Sequence, residues 1–332
     1  MNLTESRTHP FRRRIATIAI AATTVFSLAA CAAESSDDAE TLRVGVFLVA
    51  QASLLDEVEA AFEAAVEAGL GDTEVVFDVK NANGEQSLIT SIARDFASSD
   101  NDAFAVIGTP AVMALAGQVT DRPIFAIAMG DPVGAGVADS LEEPGGNVTG
   151  SIDYVEPQLL LDDILAIQPD IETIGTVYDP SNQNMQVWTA DLKVAVEAAG
   201  LTLSEATIAG AAEVSQAARS LDGRSDAILI GPDAAVTAGL DAVTAVAIGG
   251  AIPLYLSGGD ASLDGVLASI GPNYIELGTT AGENAAKVLL GQDPAVTPFT
   301  VPSGLDLVIN GKTRDALGLT IPDELLENAT IL

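Results

Sequence analysis

Asp102-Ala-Phe-Ala-Val-Ile-Gly-Thr-Pro-Ala111 has a counterpart in the second half of the chain, Asp226-Ala-Ile-Leu-Ile-Gly-Pro-Asp-Ala234. Each stretch reads as a buried strand, a tight glycine turn and the start of a helix. The likeness continues downstream. Arg122-Pro-Ile-Phe-Ala-Ile127 and Ala251-Ile-Pro-Leu-Tyr-Leu256 are each the next strand. Each then enters a Gly/Asp-rich loop, at Gly130-Asp131-Pro132 and at Gly258-Gly259-Asp260. A repeated strand–turn–helix–strand pattern predicts two similar α/β lobes.

Working outward, strand-like and helix-like runs alternate. The first half predicts strands at 42–48, 74–79, 104–107 and 124–128, with helices at 54–69, 86–96 and 111–116. The second half predicts helices at 158–167, 185–199, 212–221 and 234–247, with strands at 173–178, 202–206, 227–230 and 253–256. The strands are almost wholly apolar, as parallel strands covered on both faces must be. The fold class is α/β: two Rossmann-like lobes with parallel sheets, joined by a hinge. Lobe 1 is expected over residues 42–152 and lobe 2 over 153–272. Residues 273–332, with a helix near 274–290 and a strand near 305–309, are expected to return and pack on lobe 1.

Before the lobes stands a basic start, Arg12-Arg13-Arg14, then the uncharged run Ile15–Ala30 and Leu28-Ala-Ala-Cys31. Basic residues, a short apolar run and small residues before a cut site describe a secretory signal peptide, expected over 1–30. The run is shorter than a membrane-spanning helix requires. Leu-Ala-Ala-Cys matches a bacterial lipobox, so Cys31 is the expected lipidation site and 31–41 the tether. The mature chain would work outside the cytoplasmic membrane, anchored to its outer face.

The chain carries net charge −33 and is 48% apolar. Residues 1–30 hold four Arg and one Glu, leaving −36 on the remainder. Such acidity repels nucleic acid and anionic lipid, and excludes a nucleic-acid partner. His9 is the sole histidine and Cys31 the sole cysteine. After cleavage no Ser-His-Asp or Cys-His catalysis and no His- or Cys-built zinc site is possible.

In open α/β sheets, ligands bind beyond the carboxyl ends of the strands. The loops there supply Gln51, Asn83, Thr109, Pro110, Ala111 and Asp131 in lobe 1. Lobe 2 supplies Ser181, Asn182, Asn184, Asp233, Ser257 and Gly258. Gly108-Thr-Pro-Ala111 opens a helix whose first N–H groups suit a carboxylate, although Thr109 can equally be only a cap. Asp179-Pro-Ser-Asn-Gln-Asn184 can grip a polar ligand or cap its helix. Asp131, Asp233 and Asp260 can pair with an ammonium group or hold turns. Trp188 is read as core. No Walker loop or Gly-x-Gly-x-x-Gly follows a strand. No catalytic residue, metal or cofactor is assigned. A carboxylate- or metal-dependent hydrolase lacks any acidic cluster with ligand spacing.

Beyond these local readings, Gly130-Asp-Pro-Val133 followed by Pro144-Gly-Gly-Asn-Val-Thr-Gly150 resembles the tryptophan/tyrosine-type substrate-binding lipoproteins of bacterial ABC transporters. Asn81-Ala-Asn-Gly-Glu-Gln-Ser87, Gly108-Thr-Pro-Ala111, Asp179-Pro-Ser181 and Leu317-Gly-Leu-Thr-Ile-Pro322 agree in order along the chain. The resemblance implies a type I periplasmic-binding-protein-like fold. It implies a small molecule, often an aromatic amino acid, held between the lobes. It also implies partners, a membrane permease and its ATPase, on which the closed form docks. A sensory protein that presents ligand to a receptor would share these residues. The chain departs from the family at Ala52 and Ser53, where His and Pro are usual. It also departs at Asn182, where Glu is frequent and would be a natural ammonium partner.

Overall fold

The computed structural model describes residues 41–332. The expected leader, Cys31 and the tether through Glu40 lie outside the described residues. Among the described residues no helix is long and apolar enough to cross a membrane.

The first strand shows how lobe 1 is layered. In β1 (Leu42–Leu48), Val44, Val46 and Leu48 enter one buried cluster while Phe47 enters another. Side chains two apart share a strand face, so two apolar layers need an apolar strand throughout. Then come α1 (Ser53–Leu70), β2 (Val75–Asn81), α2 (Gln86–Ala97), β3 (Ala103–Ile107), α3 (Thr109–Ala116), β4 (Ile124–Ile127) and β5 (Val148–Gly150). They form a parallel sheet in the order β2-β1-β3-β4-β5.

Lobe 2 begins with α4 (Pro157–Ile167), β6 (Thr173–Tyr178), α5 (Gln183–Ala198), β7 (Thr202–Thr207) and α6 (Val214–Arg219). It continues with β8 (Ala227–Ile230), α7 (Ala234–Ala238), α8 (Leu240–Gly250), β9 (Leu254–Ser257) and β10 (Val266–Gly271). Last come α9 (Tyr274–Leu289), β11 (Asp306–Ile309), α10 (Gly311–Leu317), α11 (Asp323–Leu326) and β12 (Ala329–Ile331). The second sheet runs β12-β11-β10-β9-β8-β6-β7. Trp188 is 1% exposed in its core.

The structure corrects the sequence expectation at several points. The tail does not pack wholly on lobe 1. Its helix α9 lies against α1, but β11 pairs with β10 and brings β12 into the sheet of lobe 2. That sheet is therefore not all parallel, because β11 runs antiparallel to β10. The helix expected over 234–247 is two helices, broken at Gly239, where a Cβ would come within 2.9 Å of Val214. Strands β5, β10 and β12 have no counterpart in the sequence expectation. The first and last have three residues each, too few to show a period, and β10 follows Gly265 and ends on Gly271.

The chain passes between the lobes after β5, after β10 and before β11. The first and third passages are tied together: Thr300 N–H donates to Gly150 O at 2.7 Å, and Ile152 N–H to Thr300 O at 3.0 Å. The Thr149 hydroxyl adds a bond to Thr297 O at 2.7 Å.

Helix α9 crosses α1 closely because its contact face is made of small residues. A Cβ on Gly278 would lie 2.5 Å from Val58 O, and one on Gly282 2.5 Å from Phe62 O. Around them Ala281, Ala285 and Ala286 of α9 meet Val58, Phe62 and Val66 of α1. Gly282→Ala should therefore lower unfolding free energy by about 2 kcal/mol, as overpacking does. Gly249→Ala, in α8 with open space around it, should raise stability by roughly 0.5 kcal/mol through helix propensity. Urea denaturation of the two variants reads this difference of sign.

Candidate functional site

Strand order reverses between β1 and β3 in lobe 1, and between β6 and β8 in lobe 2. Loops leaving such a reversal splay apart and open a crevice at the carboxyl edge. The two crevices face each other across a cavity of about 300 Å³. The two sequence repeats stand on its opposite sides, as β3–α3 and β8–α7.

Gln51, Thr109, Pro110, Asn184, Ser257 and Gly258 line this cavity. Gln51 is held by its neighbours: Asn81 donates to its Oε1 at 3.0 Å, and its Nε2 donates to Asp56 at 2.9 Å. Thr109 is the first helical residue rather than the cap, which is Gly108 at φ 97°. Its buried hydroxyl accepts from Gly130 N–H at 3.2 Å. Pro110 follows without losing a helical bond, since an N–H there has no partner in the helix.

The other candidates lie outside the wall of the cavity. Ala111 is buried behind it in the core of lobe 1. Asn83 is an exposed turn residue at φ 52°, and Asn81 takes the inward place. Asp131 accepts from Gly134 N–H at 2.8 Å and closes its own loop. Ser181 is exposed. Asn182 is buried ahead of α5 but makes no side-chain cap. Asp233 is wholly buried and accepts from Ala235, Val236 and Asp179 N–H groups, so its carboxylate holds the turn. Burial pushes its pKa up to about 6 against those hydrogen bonds.

Sequence reasoning missed Asp153 and Tyr274, which line the cavity from two of the passages between lobes. Asp153 is 6% exposed and accepts from the Tyr274 hydroxyl at 3.1 Å. Burial pushes its carboxyl up to about 6, and the bond from Tyr274 opposes this. Burial and the Asp153 carboxylate hold the Tyr274 phenol well above its usual range. Asp153 stands three residues after the Pro144–Gly150 motif, the one local signal that pointed to it.

The wall is apolar along much of its length, through Val49, Leu55, Ile230, Leu240, Leu256 and Leu263. Among the described residues, the charged ones in the wall are Asp153, Asp241 and Asp260, with no Lys, Arg or His. An anionic group would find the positive end of α3, and a cationic group would find the acids. Among the described residues, no acidic side chains converge to hold a metal ion.

The lobes touch across this site. A Cβ on Gly130 of lobe 1 would lie 3.2 Å from the Asn184 Cβ of lobe 2. One on Gly84 would lie 3.1 Å from Ala238 in α7.

Comparison with known proteins accords with this geometry. The tyrosine-binding protein of Clostridioides difficile (strain R20291) is 31% identical over 288 residues, 86% of this chain and 84% of that protein. The structure of an ABC domain in complex with L-Trp from Streptococcus pneumonia is 31% identical, covers 88% of this chain and 100% of its own, and has a TM-score of 0.83. A ligand-free, open substrate-binding protein with adhesive properties from Clostridium difficile is 30% identical over 88% of this chain and 99% of its own, with a TM-score of 0.63. At equal coverage and similar identity, the present lobes fit the ligand complex better than the open form. The model of the ABC transporter substrate binding protein family matches residues 43–331. With nearly all of the two-lobed structure matched, this chain belongs to that family.

Proposed function

We propose that this chain is the receptor of an ABC importer for an amino acid with an apolar side chain, aromatic ones first. The observation that carries this is the cavity between the lobes with a helix N-terminus, an acid and aliphatic walls. Those are the complements of a carboxylate, an ammonium and an apolar side chain. The relatives named for tyrosine and for L-Trp support the same class. The protein binds and releases its solute without chemical change, and hands it to a permease driven by an ATPase. Like other proteins of its family it acts outside the cytoplasm. Lipid on Cys31 anchors it to the outer face of the cytoplasmic membrane, and Cys31→Ser should move the protein from the membrane fraction to the soluble one.

Closure is the mechanism of capture. Ligand that bridges both lobes favours the closed state by its contacts there. Thermal unfolding of the protein against single amino acids tests the reading. A ligand at 100 times its Kd should stabilise by about 2.7 kcal/mol. Tryptophan, tyrosine or phenylalanine is expected to give this shift. No response to any amino acid, with a response to a sugar or an ion, would contradict it. Gly130→Val should weaken the responding ligand by roughly tenfold or more, because the closed state is less populated. Its unliganded melting temperature should stay close to that of the parent, since a Cβ at Gly130 meets only the cleft-facing Asn184 Cβ at 3.2 Å and Asp153 Oδ1 at 3.9 Å.

A further inference from the structure

Two buried side chains of the cavity wall have acceptor capacity that the described residues leave open. The first is Asp153. It accepts from the Tyr274 hydroxyl and from its own backbone N–H, and among the described residues no cation pairs with it. The second is Asn184, 8% exposed. Its Nδ2 donates to Pro232 O at 2.7 Å. A carbonyl only accepts, so this bond fixes the amide orientation. Asn184 Oδ1 is thereby presented as an acceptor, and it is buried without a partner. Both residues border Gly130: a Cβ there would lie 3.2 Å from Asn184 Cβ and 3.9 Å from Asp153 Oδ1. Thr109, at the start of α3, bonds to the same Gly130.

Buried polar atoms are almost always paired, and a buried carboxylate without a cation is costly. The carboxylate without a cation and the carbonyl without a donor come from different elements, the first passage between lobes and α5. A group with several N–H donors and a positive charge satisfies both at once. We propose that Asp153 and Asn184 Oδ1 form the ammonium subsite of the cleft, holding a protonated primary amine at its hinge end while the solute's carboxylate lies toward the N-terminus of α3. This rests on the amino-acid reading of the cleft. It explains how an amino acid is held although Asn182, in place of a Glu, offers no carboxylate.

The subsite also couples recognition to closure. Asp153 lies on a passage between the lobes, Tyr274 on another, and Asn184 comes from lobe 2. An ammonium bound there contacts lobe 2 and the hinge together. Tyr274 is a positioning residue, acting through its bond to Asp153.

Binding of an ammonium requires the ionised carboxylate. With the Asp153 pKa raised to about 6, affinity is full above that pH and falls as pH drops through it. The titratable group in contact with Asp153 is the Tyr274 hydroxyl from α9, and the uncharged Asn184 borders the same Gly130. Asp241 and Asp260 are the other acids of the wall.

The test is calorimetric titration of the protein and of Asp153→Asn with L-tryptophan, L-leucine, tryptamine and 3-indolepropionate. For the parent, an amino acid should bind and its des-amino analogue should bind at least roughly 30-fold more weakly. Asp153→Asn should lose a similar factor for the amino acid. Its melting temperature at pH 7.5 should not fall, because a buried amide replaces a buried charge and keeps the bond to Tyr274. Between pH 7.5 and 5 the parent should weaken about tenfold, while Asp153→Asn stays flat. Tyr274→Phe should weaken binding less and keep the pH dependence. Amino-acid binding within threefold of the parent in Asp153→Asn would overturn the subsite and leave the amino-acid reading standing. Tryptamine bound through Asp153, with no amino acid bound, would keep an ammonium subsite and overturn that reading. No binding of any amine would overturn both.

Discussion

Three passages of chain hold the carboxyl edges of two sheets toward each other, and the bonds between Gly150, Ile152 and Thr300 tie two of those passages together. Everything at the site depends on this constraint. The loops after β1 and β3 would be ordinary turns if the lobes stood alone. Facing the loops after β6, β8 and β9, they form a cavity of about 300 Å³ with apolar walls and a few acids. The lobes can meet because two positions have no side chain, Gly84 against α7 and Gly130 against Asn184. Helix α9 binds the same hinge to lobe 1, through the small residues that let it lie close on α1.

The fold was legible because parallel sheets write a strong signal. Apolar runs such as Ala103–Ile107 and Ala227–Ile230 are buried on both faces, and the turn after each begins with glycine. Where an element is short or interrupted the signal fails. Val148–Gly150 is too brief for a period, and the antiparallel return of Asp306–Ile309 depends on a partner distant in sequence. Contiguity in sequence suggests one lobe for the helix and strands of the tail, whereas packing divides them between two.

The site was partly legible for the same reason. Thr109, Pro110, Ser257 and Gly258 lie at strand ends, and topology alone points their loops at the cleft. Asp233 also lies at a strand end, but an Asp one residue before a helix satisfies that helix's N–H groups first, and it turned inward. Asp131 spent its carboxylate on its own loop in the same way. Asp153 and Tyr274 each stand three residues after a strand, β5 and β10, that the sequence pattern did not reveal. They reach the cavity because the chain leaves these two strands to pass between the lobes, which local pattern does not encode.

Acidity is the property of this protein most easily misread. The chain is strongly anionic, yet that charge bears on solubility and on excluded partners rather than on the ligand. What matters at the site is one acid removed from water, without a cation among the described residues, on a passage of chain between the lobes. A crystal structure of the protein with L-tryptophan bound tests this most directly. The account predicts the ammonium nitrogen about 3 Å from the Asp153 carboxylate, with the carboxylate of the ligand at the first turn of α3. A ligand lying the other way round, or one that leaves Asp153 and Asn184 unpaired, would contradict it.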